Sequence, residues 1–341
     1  MAGARPKFNF NAKPKEEEPK KELEHNDHPI TSTGTFIIEE KKFEVKATDL
    51  LQLKERGRGA FGVVYEMQHR DSGTIMAVKR IRATADGNER KYLMRDLNII
   101  EKSKGCPYIV TFYGVLLKDG DLWICMELMD NSLDKVYKLV YHDMKKSFPE
   151  KIIGKMAVAI LKALHFLVEV LHVMHRDVKP SNVLISNEGQ IKMCDFGIAG
   201  VTTDSNKCYT RGIGCKVYMP PERVLPPPNQ KKGYDSRSDV WSFGCTLFEL
   251  ATGKAPYPPW QTVFDQLKSV VEGPPPNIND TDLSNECKEF THLCLEKDVN
   301  VRPNYVELLK HQFILTSDAE DTDVGTWYHS VREEAKTLGL N

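Results

Sequence analysis

The sequence has no excess of charge, no long apolar run and no paired cysteine spacing, and each absence removes a class of function. Lys and Arg number 47 against 48 Asp and Glu over 341 residues. No basic surplus therefore points to nucleic acid or to an anionic membrane face. The most apolar helical stretch, Met156 to His175, is interrupted by Lys162, His165, Glu169 and His172, whereas a bilayer span needs about 20 predominantly apolar residues. The N-terminus carries no apolar stretch able to act as a signal peptide. The eight cysteines (106, 125, 194, 208, 215, 245, 287 and 294) show neither a CxxC pair nor metal-ligand spacing and read as reduced, partly buried thiols. What remains is a soluble cytosolic or nucleocytoplasmic protein without nucleic-acid partner or membrane insertion. It is long enough for one large or two medium domains.

Residues 1–47 carry dense mixed charge, as in Lys13-Pro-Lys-Glu-Glu-Glu-Pro-Lys-Lys21, with few large apolar residues. Such a composition buries too little surface to offset its ordering entropy and predicts a disordered tail. From Leu50 to Val78, short apolar runs separated by glycines read as antiparallel strands. Asn88 to Lys102 reads as a helix with Leu93, Leu97 and Ile100 on one face. Strand-like runs follow at 109–113 and 122–127. Helical patterns then occupy 133–142, 149–172, 239–252, 263–272, 286–294 and 305–311. A β-rich part of about 80 residues before a helical part of about 190 predicts two lobes with a cleft between them.

Eight short motifs occur along this frame: Gly57-Arg58-Gly59-Ala60-Phe61-Gly62-Val63-Val64, Ala77-Val78-Lys79, His175-Arg176-Asp177, Asn182, Asp195-Phe196-Gly197, Pro221-Glu222, Asp239-Val240-Trp241 and Arg302. A lone GxGxxG is weak, because dinucleotide-binding folds place it between strand and helix. Here Gly62 leads into a second strand-like run, as in a hairpin that lies over the phosphates of ATP. Lys79, 17 residues beyond Gly62 within an apolar strand, suits an ammonium that holds the α- and β-phosphates. Its carboxylate partner is read as Asp96, with Glu89 and Glu101 as alternatives. Asp177 is placed to accept the proton of the attacking hydroxyl and Lys179 to neutralise the transferring phosphoryl. Asn182 supplies an oxygen to one Mg²⁺ and Asp195 a carboxylate to both. Together these groups are what phosphoryl transfer from ATP requires.

The segment from Asp195 to Glu222 is rich in hydroxyls: Thr202, Thr203, Ser205, Tyr209 and Thr210. Arg176, beside the catalytic Asp, is a cation able to hold a phosphate placed there, and a hydroxyl-bearing surface loop is the plain alternative. Glu222 is expected to pair with Arg302 as a structural ion pair. Lys179, two residues after Asp177, resembles the serine/threonine-type catalytic loop.

Over residues 43–330 the chain resembles the MAP kinase kinases. The resemblance lies in Phe43-Glu-Val-Lys-Ala-Thr-Asp-Leu50, Ile75-Met-Ala-Val-Lys-Arg-Ile-Arg-Ala-Thr84, Leu122-Trp-Ile-Cys-Met-Glu-Leu-Met-Asp130, Lys192-Met-Cys-Asp-Phe-Gly-Ile198 and Gly214-Cys-Lys-Val-Tyr-Met-Pro-Pro-Glu-Arg223. It is most similar to the stress-activated branch, MAP kinase kinases three and six, which also carries aspartate where Asp96 falls. The resemblance implies an α+β, bilobal protein kinase fold, with a β-rich N-lobe (about 48–128) holding one regulatory helix and a mainly helical C-lobe (about 129–316). It implies ATP and Mg²⁺ as cofactors, with ATP held by Arg56, Gly57, Arg58, Gly59, Ala60, Phe61, Gly62, Val63, Val64, Ala77, Lys79, Met126, Glu127 and Met129. It also implies dual phosphorylation of the Thr-Gly-Tyr loop of a stress-activated MAP kinase, and activation by an upstream MAP kinase kinase kinase at Ser205 and Thr210. Four residues separate those two sites where the family has three, which leaves Thr202 or Thr203 as substitutes. Pro220 stands where the family has alanine.

In the tail, residues 317–341, Thr322-Asp-Val-Gly-Thr-Trp-Tyr328 resembles the family's docking site for the upstream kinase; a helix packing Trp327 on the lobe is the other reading. Arg5-Pro-Lys7-Phe8-Asn-Phe10 is read either as a MAP kinase docking peptide or as charged tail. Two rivals stand beside the main reading, another serine/threonine kinase of the cascade and a non-catalytic kinase-like scaffold. The presence of Lys79, Asp177, Asn182 and Asp195 argues against the scaffold.

Overall fold

A computed structural model of the protein describes residues 31–38, 41–59, 62–82, 97, 101–195, 217–225 and 236–340. Strands β1 (Thr33–Ile38) and β2 (Lys41–Lys46) form an antiparallel hairpin. They are followed by β3 (Leu50–Gly59), β4 (Gly62–His69), β5 (Ile75–Arg82), β6 (Phe112–Lys118) and β7 (Asp121–Glu127). These five make one antiparallel sheet in the order β3-β4-β5-β7-β6. Alternation along the strands sorts their side chains to two faces. Met67, Met76, Val78, Trp123 and Cys125 are buried on one face, beneath Phe36 and Val45 of the β1–β2 hairpin. Ala77, Lys79 and Met126 fall on the other, where Ile124 and Phe112 join the core of the helical part.

The hairpin corrects the expectation that residues 1–47 are disordered, as far as 33–38 and 41–46 are concerned. Phe36, Ile38 and Val45 alternate with exposed neighbours, and Phe36 packs so tightly on β6 that a Cβ at Gly114 would sit 2.3 Å from its ring. The charge of residues 13–28 dominates the composition of the whole segment and hides this short alternating pattern. The expected docking peptide at 5–10 lies outside the described residues.

The chain then enters the helical part through β8 (Asn131–Ser132) and α1 (Leu133–Lys138). Next come α2 (Glu150–Glu169), β9 (Val183–Ile185), β10 (Ile191–Met193) and the short α3 (Pro221–Val224). Then follow α4 (Arg237–Thr252), α5 (Val263–Glu272), α6 (Asn285–Cys294), α7 (Tyr305–Leu308), α8 (Gln312–Ala319) and α9 (Val324–Thr337). α2 and α4 are buried along most of their length and form the centre of the large core. Local chemistry sets the ends of several helices. Gly253 closes α4 in the left-handed region at φ 67°, where a Cβ would meet the ring of Tyr141 at 2.3 Å. Ser284 caps α6, Asp323 caps α9, and Asn304 with Glu307 forms a capping box on α7.

Several expected boundaries shift. The helix expected at 133–142 ends as α-helix at Lys138 and continues as a wider π turn over Leu139–Asp143. The run at 109–113 gives only a bridge at Ile109, to Met193, before β6 starts at Phe112. The tail boundary drawn at 316 falls inside α8, whose hydrogen bonds run on to Ala319. Among the described residues, no helix is long and apolar enough to cross a membrane. Cys106, Cys125, Cys194, Cys245, Cys287 and Cys294 are free and buried, as expected of structural thiols.

Candidate active site

The glycine-rich turn joins β3 to β4 as the predicted hairpin, with Gly57 opposite Val64, Arg58 opposite Val63 and Gly59 opposite Gly62. Gly62 is obligatory: its φ is 136°, and a Cβ there would lie 2.0 Å from the carbonyl oxygen of Arg80. Ala60 and Phe61 lie outside the described residues. Lys79 pairs across the sheet with Val64 on one side and Ile124 on the other, and Ala77 pairs with Met126. The side chains of directly opposed residues share a face, so Val64, Ala77, Lys79 and Met126 all point to the helical part. Below them Val110, Met129 and Cys194 form a small buried apolar cluster with Met126 and Leu184 packed against it. Leu184 was missed in the sequence, where its strand pattern carried no sign of a cleft position.

Lys79 is buried, and its ammonium lies 2.7 Å from Oδ1 of Asp195. Its expected partner Asp96 lies outside the described residues, while the alternative Glu101 is exposed. Asp195 itself has φ 59° and His175-Arg176-Asp177 contains another left-handed residue, Arg176 at φ 68°. Such backbone costs about 1–3 kcal/mol per residue and persists only where surroundings enforce it. Asp239 of α4 does so: its Oδ2 accepts from the backbone N–H of His175 at 2.8 Å and its Oδ1 from that of Arg176 at 2.9 Å. This role was missed, because the Asp239-Val240-Trp241 motif gives no hint of its target. Burial pushes the Asp239 carboxyl above its ordinary range, and the two backbone N–H donations it accepts counteract that push.

His175 is fully buried, and desolvation holds its ring below the usual imidazole range. The neutral ring has one donor and one acceptor. Nδ1 accepts from the N–H of Asp177 at 3.3 Å, which leaves Nε2–H to donate to the carbonyl of Cys194 at 3.1 Å. One ring thus ties the catalytic loop to the residue preceding Asp195. The carboxylate Oδ2 of Asp177 accepts from Lys179 Nζ at 2.6 Å and from Asn182 Nδ2 at 2.9 Å. Asn182 Nδ2 also donates to the Asp177 carbonyl at 2.8 Å. With its amide nitrogen so engaged, the amide oxygen of Asn182 is the atom left for a cation. Asn182 and Asp195 fit Mg²⁺, which needs few protein ligands because it keeps several waters and takes other oxygens from phosphates.

The apolar Ala77, Met126 and Met129, a phosphate turn, a buried ammonium, and Asp177, Asn182 and Asp195 thus meet across one cleft. A protein kinase domain profile matches residues 51–314. The dual specificity mitogen-activated protein kinase kinase sek-1 of Caenorhabditis elegans is 48% identical over 277 residues, covering 81% of this chain and 81% of its own. The dual specificity mitogen-activated protein kinase kinase 7 of Homo sapiens is 42% identical over 315 residues, covering 91% of this chain and 74% of its own, and the Rattus norvegicus protein matches equally. The chain belongs to the dual-specificity MAP kinase kinases.

Glu127, expected at the nucleotide, turns its carboxylate to Lys192 Nζ at 2.7 and 2.8 Å and to the N–H of Thr111. Its side chain therefore braces the hinge, the link over residues 127–130 between the two lobes, and with its N–H donated to the Thr111 carbonyl only its backbone carbonyl remains for a ligand. Arg58 is exposed and paired with Glu55, whereas Arg56 reaches the hinge carbonyls of Met129 and Asp130 at 3.2 and 2.9 Å. The expected pair of Glu222 with Arg302 is present and bidentate, at 2.9 and 3.0 Å. Ser205 and Thr210, with their possible substitutes Thr202 and Thr203, lie outside the described residues.

Proposed function

We propose that this kinase uses MgATP to phosphorylate both Thr and Tyr in the Thr-Gly-Tyr loop of a stress-activated MAP kinase. In the same reading an upstream MAP kinase kinase kinase activates it at Ser205 and Thr210, in the cytoplasm and nucleus. The observation that carries the chemistry is the convergence of Lys179 and Asn182 on one oxygen of Asp177. Those two donors aim the Asp177 carboxylate, so it can take the proton of an incoming hydroxyl without searching for its orientation. Lys79 and the glycine turn bind and align the phosphates, and Lys179 faces the charge that builds on the transferring group. Bound Mg²⁺ supplies further neutralisation of that charge at Asn182 and Asp195. The five stretches that carry the resemblance support the stress-activated type, and the similarity to dual specificity mitogen-activated protein kinase kinases supports a MAP kinase as the acceptor.

The upstream kinase is proposed to dock on Thr322–Tyr328. Val324 and Tyr328 of that segment are buried, so Asp323, Thr326 and the half-buried Trp327 are the residues a partner can reach. The test uses a catalytically dead MAP kinase as acceptor, with phosphosite mapping of the product. Phosphate is expected on both Thr and Tyr, and replacement of Ser205 and Thr210 by Ala should block the response to an upstream kinase. An unchanged response would move the switch to Thr202 or Thr203, and a panel of MAP kinases in which the stress type is not preferred would overturn the substrate assignment.

A further inference from the structure

Arg56 is the extra residue where the β3–β4 register shifts between Glu55 and Gly57. A bulge re-aims the side chain it inserts. Here the guanidinium leaves the sheet, donates to the carbonyls of Met129 and Asp130, and sits 3.5 Å from Glu66 of β4. The strand that carries the phosphate turn is thereby tied to the end of the hinge.

That anchor is itself held from behind by α9. Asp130 accepts from the N–H and Nδ2 of Asn187 at 2.7 and 2.6 Å. Arg332 of α9 lies 3.7 Å from Asp130 Oδ1 and also donates to Oδ1 of Asn187. Asn131 donates to the hydroxyl of Tyr328 at 2.8 Å, and Tyr328 is 1% exposed. The start of α9 presses on the turn that joins β9 to β10. Gly189 in that turn has φ 80°, and a Cβ there would lie 2.3 Å from the backbone nitrogen of Gly325. The same turn connects the strands that run from Asn182 towards Asp195. One helix therefore backs both the hinge exit and the hairpin between the two proposed metal ligands.

We propose that Tyr328 and Arg332 are positioning residues for nucleotide binding: they fix Asp130 and Asn131, whose segment presents the carbonyls that hold Arg56 as a clasp across the mouth of the cleft. Displacing α9 then loosens the clasp and weakens the grip on nucleotide. This rests on the cleft being the MgATP site. A hydrogen bond from a charged donor is worth more than one between neutral groups, so the Arg56 contact dominates the clasp.

The test measures the dissociation constant of a fluorescent MgATP analogue, with KM for ATP and kcat alongside, on the full chain. Arg56→Leu is expected to raise the dissociation constant and KM about tenfold, with kcat changed less than about twofold. Tyr328→Phe combined with Arg332→Ala is expected to raise them about threefold. Because both act through one clasp, the triple variant should bind no more weakly than Arg56→Leu alone, and Arg332→Lys should recover part of the loss. A tail variant with unaltered affinity, or a triple variant weakened by the product of the two effects, would overturn the proposal. If the double variant is unfolded by thermal scan, Tyr328→Phe alone, which removes one hydroxyl, must still weaken binding about twofold. Failure of the unsubstituted chain to bind the analogue would sink the nucleotide reading as well, and so is distinguishable from failure of the clasp.

Discussion

Two buried cations with carboxylate partners stand in different parts of the molecule and are built to opposite ends. In the cleft, Lys79 meets a single oxygen of Asp195, whose side chain is one-third exposed and whose backbone is left-handed. Inside the helical lobe, Arg302 makes a bidentate pair with Glu222, with side-chain exposures of 0% and 7%. Its remaining donors go to the carbonyls of Glu296, Arg237 and Lys297, and its Cζ lies 5.2 Å from the ring centre of Trp241. The structural pair is saturated, so nothing further can bind it. The cleft pair keeps an oxygen and an ammonium available for new partners, which a phosphate and a cation require. Incomplete satisfaction therefore distinguishes the pair in the candidate site, and complete satisfaction the pair that holds the lobe.

This contrast is broken most severely in the cleft. Lys79→Met or Asp177→Ala is expected to reduce phosphate transfer by at least about a hundredfold, with the thermal midpoint nearly unchanged; a normal rate would refute the assigned roles. In the helical lobe the order reverses. Arg302→Leu leaves the Glu222 carboxylate buried and unpaired, and should cost about 3–5 kcal/mol in urea unfolding. Replacing both partners with apolar residues should cost less than the single change, because no orphan charge remains. Equal losses in the single and double variants would show that packing, not the unpaired charge, sets the cost.

A smaller effect tests a third carboxylate. Glu249 on α4 is buried, and burial pushes its carboxyl up to about 7, against the opposing donation from the Tyr218 hydroxyl at 2.8 Å. Asp134 raises it further and Lys138 lowers it. The folded value lies above the ordinary 4.5, so the stability Glu249 contributes is fully present below that pH and is lost as pH rises through about 7. Glu249→Gln should flatten this fall, worth about 2–3 kcal/mol, in unfolding measured between about pH 4.5 and 8. The smallest effect belongs to the surface pairs that zip the tail to the lobe: Lys146 with Glu334, Lys151 with Glu320 and Lys162 with Asp318. Each should contribute less than about 1 kcal/mol and fade in high salt. Ala at Lys146 is therefore expected to shift the thermal midpoint barely at all, unlike any change at Tyr328.

Much of the chemistry was legible in one dimension because it is written in short spacings. Asp177, Lys179 and Asn182 fall within six residues, so a local loop alone brings them together. The alternation of Ala77 and Lys79 within an apolar strand likewise announces a shared face. The β1–β2 hairpin was missed because its few apolar residues gain burial only against strands distant in sequence, those of the five-stranded sheet. The tail reading left two possibilities open, and the structure shows Trp327 packed edge-on to Phe148 at 5.2 Å while α9 holds the hinge exit.

The sequence by itself determined which groups the candidate site has to work with: the glycine turn, the Lys79 ammonium, the Asp177 carboxylate and the oxygens of Asn182 and Asp195 are specified by residue type and local spacing. Tertiary structure alone decided how those groups are held. Asp239 reaches back 63 residues to pin Arg176, Arg56 crosses 74 residues to Asp130, and Tyr328 crosses 197 to Asn131. Backbone carbonyls and N–H groups are the partners in two of these contacts, and every residue carries them alike. No side-chain pattern can name such a partner, and only the folded chain brings it within reach.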